Sequence, residues 1–248
     1  MIEYLSSRKN EKVQHMKKLG ADRRYREQCG AFFCDGEKLL YEAAAHGMEI
    51  KTVFCCDICN VELPAGAEAY TVPREIIEYV SPMKTPQNVV VSCAMPADAE
   101  PVQAGRPYIL LENIQDPGNV GTVLRTANAF GVGVLLMGAC ADPYGPKTVR
   151  ASMGAVFRQP IYQITYEEIE QLVDAGAPLY GAALGEGCRE ITQVPLNRAI
   201  VAIGNEGQGL SRRLLDLCGQ KVIIPMAPAC ESLNASVAAA IVMWEMRK

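Results

Sequence analysis

The sequence predicts an α/β protein with a C-terminal domain built on a parallel sheet, preceded by a smaller α/β module. Three observations predict it. After Pro107, short apolar runs alternate with amphipathic segments, as in a parallel sheet covered by helices on both faces. Three stretches containing Gly and Asn each follow a predicted strand, which gathers them beyond the carboxyl edge of such a sheet. Residues 94–106, Ala-Met-Pro-Ala-Asp-Ala-Glu-Pro-Val-Gln-Ala-Gly-Arg, lack periodicity and separate a domain over 1–93 from one over 107–248. At roughly 100–200 residues per domain, 248 residues suit two.

In the first module, Val13, Met16 and Leu19 recur at three-residue steps between lysines, so Asn10–Leu19 is expected to be an amphipathic helix. Ala31–Cys34 reads as a strand, Asp35-Gly36 as a turn, and Glu37–His46 as a helix closed by Gly47. Thr52–Cys55 and Ala69–Val72 are further strands, and Arg74–Tyr79 a short helix. In the second domain, strands are expected at Tyr108–Leu111, Val132–Met137, Ile161–Ile164, Leu179–Ala183, Ala199–Ile203 and Lys221–Ile224. The intervening helices are Val120–Phe130, Tyr166–Ala175, Ser211–Cys218 and Leu233–Met246.

Composition narrows the class. A hydrophobic fraction of 49% and a charged fraction of 21% suit a soluble globular protein. No apolar run approaches the roughly 18 residues of a transmembrane helix. The opening Met-Ile-Glu-Tyr-Leu-Ser-Ser-Arg-Lys-Asn lacks the apolar core of a signal peptide, so a cytoplasmic location and no membrane contact are expected. Ten cysteines are scattered through the chain, and the dense group Cys55, Cys56 and Cys59 has no second CxxC pair to complete a zinc site. His15 and His46 are the two imidazoles, so no metal is expected. The net charge is −4, but residues 1–26 hold eight Lys or Arg against three acids, a balance of +5. A basic segment on an acidic body suits phosphate contact, and a solvated helix face would account for the same charges.

The three chemistry-bearing stretches are specific. In Asn113-Ile-Gln-Asp-Pro-Gly-Asn119-Val-Gly-Thr-Val-Leu-Arg125, Asp116-Pro117-Gly118 is a turn and Asn119 stands where an N-cap would. Arg125 follows within two helical turns, and its guanidinium is expected to face a ligand at the helix start. Gly204-Asn-Glu206-Gly-Gln-Gly209 lets backbone approach a ligand closely around an acid. Ile224-Pro-Met226 leads to Glu231-Ser232-Leu233-Asn234-Ala-Ser, where Ser232 is expected to cap a small-residue helix with Asn234 in its first turn. No GxGxxG fingerprint, P-loop lysine or G-x-S-x-G elbow occurs, which argues against a conventional dinucleotide enzyme, a P-loop enzyme and an α/β-hydrolase.

In order, spacing and residue type these stretches resemble the three motifs of the SpoU (TrmH-like) family of RNA ribose 2′-O-methyltransferases, in the SPOUT superfamily. The likeness spans about residues 107–248. A weaker likeness to the family's N-terminal RNA substrate-binding domain rests on Ser7–Asn10, Arg24-Tyr-Arg26, Phe33–Glu37 and Lys84–Gln87, with Asp35 where the family usually has Glu. The resemblance implies a deep trefoil knot, a homodimer with its site completed at the subunit interface, and S-adenosylmethionine as cofactor. It implies cofactor contacts at Gly204, Ile224, Met226 and Leu233, and a catalytic set of Arg125, Asn119, Glu206, Ser232 and Asn234. RNA contacts are expected at Arg8, Lys9, Lys12, Arg24 and Arg26. The implied substrate is 23S ribosomal RNA, with transfer RNA, or a non-catalytic ribosome-assembly role on the same fold, as alternatives. Arg125 is implied as a base or as an electrostatic group, and its pKa above about 12 favours the second.

Overall fold

The computed structural model describes residues 3–56, 66–96, 100–185, 187–227, 230 and 232–248. Cys59, linker residues 97–99 and Glu231 lie outside them. The chain opens with β1 (Glu3–Tyr4), α1 (Glu11–Ala21), α2 (Arg23–Cys29), β2 (Ala31–Asp35) and α3 (Glu37–Ala45). β3 (Ile50–Cys56), β4 (Glu68–Val72), α4 (Arg74–Val80) and β5 (Val89–Ala94) follow. Next come β6 (Tyr108–Glu112), α5 (Pro117–Phe130), β7 (Gly133–Met137), α6 (Pro146–Ser152), β8 (Ile161–Gln163) and α7 (Tyr166–Asp174). The chain ends with β9 (Leu179–Ala182), β10 (Arg189–Glu190), β11 (Ile200–Ile203), α8 (Arg212–Leu217), β12 (Gln220–Ile223) and α9 (Ala235–Glu245).

Packing divides the chain into two compact units, Met1–Asp98 with Asp142–Arg158, and Ala99–Ala141 with Gln159–Lys248. The excursion between β7 and β8 therefore folds with the N-terminal module, which chain order alone does not suggest.

The first unit holds a mixed sheet in the order β1-β4-β3-β5-β2, with β5 antiparallel to both neighbours. α1 starts where Asn10 accepts from the Lys12 N–H, and it buries Val13, Met16 and Leu19. Burying each such side chain contributes about 1.5–3 kcal/mol relative to exposure. Asp22 ends α1 in extended backbone and caps α2 by accepting from the Tyr25 N–H. β5 is absent from the sequence reading because Val89–Cys93 is buried on both sheet faces, so its residues do not alternate.

The excursion is tied down by aromatic contact and charge. The Phe32 ring lies 5.1 Å from Tyr144 and 6.0 Å from Phe157. Arg26 donates to Asp142 Oδ2 from Nε at 3.1 Å and from Nη2 at 2.6 Å, and Nη1 reaches the Leu19 carbonyl at 2.7 Å. Arg26 is 5% exposed. The expectation that it contacts RNA is corrected: its donors already meet acceptors, and burial closes it to a phosphate. Lys12 also has a partner, since it pairs with Glu68 and lies 4.8 Å from the Tyr70 ring centroid. Arg8, Lys9 and Arg24 are exposed.

The second unit holds a parallel sheet in the order β10-β12-β9-β11-β6-β7-β8. Period-two alternation divides its core. Ile109 and Leu111 of β6 pack with α5 and α9 on one face, while Tyr108 and Leu110 pack with α7 and α8 on the other. The carboxyl ends of β6 and β11 are adjacent, and β12 lies beyond β9.

Candidate active site

The site begins at the end of β6, where α5 starts earlier than periodicity suggests. Pro117 occupies its first turn, and Asp116 caps it by accepting from the Asn119 N–H at 2.8 Å. Proline is favoured there because its missing N–H would have no helical partner. Asn119 is therefore not the cap. It is the third helical residue, and its side-chain amide is left to reach other loops.

The loop after β11 closes on itself. The Gly209 N–H donates to the Asn205 carbonyl at 2.8 Å, and Asn205 Oδ1 accepts from the N–H groups of Gly207 at 2.9 Å and Gln208 at 3.2 Å. A Cβ at Gly204 would lie 2.2 Å from the Gly209 carbonyl carbon. Loop closure alone therefore requires glycine there. Glu206 projects from the exposed part of this loop.

The third loop feeds α9, and the cap is Asn234, not Ser232. Asn234 Oδ1 accepts from the Ser236 N–H at 3.0 Å, the Val237 N–H at 3.3 Å and the Ser236 hydroxyl at 2.7 Å. One oxygen reaches the first-turn donors from this position, so the helix starts at Ala235. Ser232 is exposed, and its carbonyl accepts from the Cys230 thiol.

These three loops meet through side chains. Asn119 Nδ2 donates to Glu206 Oε1 at 2.5 Å, and Asn234 Nδ2 donates to Asn119 Oδ1 at 3.0 Å. The Asn119 amide is thus oriented at both ends. Arg125 and Ser232 do not enter this chain of bonds. Six residues along an α-helix place Arg125 about 9 Å further on and about a third of a turn around from Asn119. Arg125 is exposed, and its guanidinium makes no hydrogen bond or ion pair with the described residues.

Two residues to which the motifs assign no role hold the loop after β11. Asn113 sits in left-handed backbone at φ 57°. Its carbonyl accepts from Asn205 Nδ2 at 3.0 Å, and its side-chain oxygen accepts from the Ala139 N–H at 2.8 Å. Glu112 is fully buried and accepts from the Tyr166 hydroxyl at 2.5 Å, the Ser211 N–H at 2.7 Å and the Ser211 hydroxyl at 2.6 Å. Consecutive residues at the end of β6 therefore anchor the loop's entry, at Asn205, and its exit, at Ser211. Burial, then its bond to Glu112, pushes the Tyr166 phenol above its ordinary value. An acid closing an apolar strand was the available signal, since such a residue needs donors.

The residues present fit S-adenosylmethionine. Ile224, Met226 and Leu233 are half-buried apolar groups, suited to an adenine ring. The carboxylate of Glu206 and the amides of Asn119 and Asn234 supply polar contacts and a negative charge suited to a cationic group.

The sequence matches the SpoU rRNA Methylase family over residues 106–244 and the MRM3-like substrate binding domain over residues 10–91. It is 31% identical to the 23S rRNA (guanosine(2553)-2'-O)-methyltransferase of Bacillus subtilis, covering 99% of this chain and 100% of that one. It is 29% identical to the 23S rRNA (uridine(2479)-2'-O)-methyltransferase of Streptomyces viridochromogenes, covering 96% and 89%. The AdoMet-bound rRNA methyltransferase of Sinorhizobium meliloti superposes with a TM-score of 0.86 at 29% identity, over 99% of this chain and 97% of that one.

Proposed function

The chain belongs to the SpoU rRNA methylase family, and from that premise we propose that it methylates a ribose 2′-hydroxyl of 23S ribosomal RNA, with S-adenosylmethionine as donor. The observation that carries this reading is the Glu206–Asn119–Asn234 chain of bonds, which joins all three motif loops in one polar array. Bound S-adenosylmethionine supplies a methyl group on a positively charged sulfur. The protein's part is to align a sugar oxygen with that methyl and to ease loss of the oxygen's proton. Alignment alone lowers barriers by about 7–11 kcal/mol in well-oriented systems.

Gly204, Ile224, Met226 and Leu233 hold the cofactor, and Asn119, Glu206, Ser232 and Asn234 order the site around it. Arg125 pairs with phosphate or with the developing alkoxide. Residues 1–93 bind RNA, with Arg8, Lys9 and Arg24 among the contacts, and residues 107–248 carry the reaction. The knot belongs to this reading, supported by the return of α9 onto α5 after β12. So does a homodimer: Val237 and Trp244, 47% and 52% exposed, lie on one side of α9, and the Trp244 ring sits 5.8 Å from Phe130. A cytoplasmic setting suits an enzyme of ribosomal RNA, and no described helix is long and apolar enough to cross a membrane.

The test is to map ribose methylation in cells lacking the protein and to restore it with purified enzyme and labelled cofactor. One lost and restored site in 23S RNA is expected. Loss confined to transfer RNA would change the substrate, and no loss with no cofactor binding would end the enzymatic reading.

A further inference from the structure

We infer that Lys84, Lys147 and Arg150 form a second phosphate-binding face on the N-terminal unit, two of its three cations coming from the excursion between β7 and β8. The inference rests on the RNA-methylating reading for the identity of its partner.

The excursion Asp142–Arg158 contains one acid, Asp142, which the buried Arg26 already holds. The loop from Ser81 to Asn88 contains none. Lys84, Lys147 and Arg150 therefore bring positive charge that no acid of their own segments offsets, and none forms an ion pair with the described residues. On α6, Pro146, Thr148, Val149 and Ser152 face inward. Lys147 and Arg150 are three residues apart on a helix, so they share its outer face. Arg150 Nη1 reaches the Thr85 carbonyl at 3.4 Å, which brings this face against the loop beside Lys84.

That loop is held rather than slack. Asp35, 3% exposed, accepts from the Ser81 hydroxyl at 2.5 Å and the Gln87 N–H at 3.0 Å, while Arg74 Nη2 donates to the Pro86 carbonyl at 2.9 Å. A fixed loop and a fixed helix, in contact at Arg150 and Thr85, thus carry three cations on a chain of net charge −4. Such a concentration fits the RNA phosphate backbone, where each neutralised phosphate releases counterions. It also gives the Arg26–Asp142 pair a role in RNA binding without contact: that pair anchors the segment carrying Lys147 and Arg150.

The experiment measures binding of full-length protein to transcribed 23S RNA fragments across a salt series. Variants are the triple K84Q/K147Q/R150Q, the double K84Q/K147Q, and R8Q/K9Q/R24Q for comparison. At about 0.7 per single-strand phosphate, the triple variant should lower the log–log salt slope by about 2 and weaken binding about 100-fold at 0.1 M salt. The double variant keeps the Arg150–Thr85 bond and should lower the slope by about 1.4. Cofactor affinity and melting temperature should match the parent in both. An unchanged slope in the double variant, or a slope that resides wholly in Arg8, Lys9 and Arg24, overturns the proposal. A parent protein that binds these RNAs with the expected slope but transfers no methyl group would instead overturn the enzymatic reading and leave this face standing.

Discussion

Asn119 and Glu206 stand 87 residues apart in the chain, yet the Asn119 amide donates to the Glu206 carboxylate at 2.5 Å. The amide's other end accepts from Asn234. A side chain gripped from both sides presents one fixed arrangement to a ligand, so little reorganisation remains for the moment of reaction.

Asn119→Asp should cost far more activity than stability. It replaces the donor facing Glu206 with a second carboxylate oxygen and so turns attraction into repulsion. Methyl transfer should fall by about 10²–10³, the loss typical of a single preorganised donor. The melting temperature should move little, because the pair is exposed to solvent. Single-turnover transfer of labelled methyl groups to 23S RNA measures the first effect, and a fall under threefold would remove Asn119 from the site.

Asn205→Asp should act through cofactor affinity. Oδ1 keeps its bonds to the Gly207 and Gln208 N–H groups, but the donor to the Asn113 carbonyl becomes an oxygen 3.0 Å from another oxygen. Losing such a bond and gaining the repulsion costs about 1–3 kcal/mol. The dissociation constant for S-adenosylmethionine, read by calorimetry, should rise about 10-fold or more. Unchanged affinity would show that the loop needs no anchor at its entry.

The parallel sheet was legible because its strands are short apolar runs separated by helices of period 3.6, and the three loops because glycine and asparagine punctuate them. The caps were misplaced for a common reason. Asp116 and Asn234 compete with nearby Asn119 and Ser232 for the same helix ends, and only backbone geometry decides between them. The anchoring roles of Glu112 and Asn113 are not legible in the sequence because their partners, Ser211, Tyr166, Asn205 and Ala139, are distant along the chain. Arg26 shows the limit of reading charge from a string: a basic residue in a basic segment proves to be a buried partner of Asp142.

Cysteine labelling should report on the Glu112 anchor. Burial first, and then the Glu112 charge, pushes the Cys218 thiol up to about 11, whereas Cys230 is exposed. At pH 8 the Cys218 thiolate fraction is about one in a thousand, so a maleimide should modify Cys230 well before Cys218. Because the folded chain holds the Cys218 proton more tightly than the unfolded one, this group's stabilisation is complete below the ordinary thiol range. It is lost as pH rises toward about 11. Glu112→Gln should speed Cys218 labelling. Equal rates for Cys218 and Cys230 in the parent protein would contradict the packing of α8.

Arg125 is exposed and its guanidinium has no bonded partner among the described residues, so its charge is available to a ligand. Removing it should leave stability within about 0.5 kcal/mol, as for surface substitutions generally. Arg125→Ala should nonetheless reduce methyl transfer by about 10²–10³ if the guanidinium stabilises charge that develops on the sugar oxygen. Arg125→Lys separates that role from proton abstraction. A lysine restores positive charge and should keep roughly a tenth or more of the parent rate where charge is what the reaction needs. A lysine variant as inactive as alanine, with RNA and cofactor affinities intact, would assign Arg125 a geometric or basic role that an ammonium cannot fill.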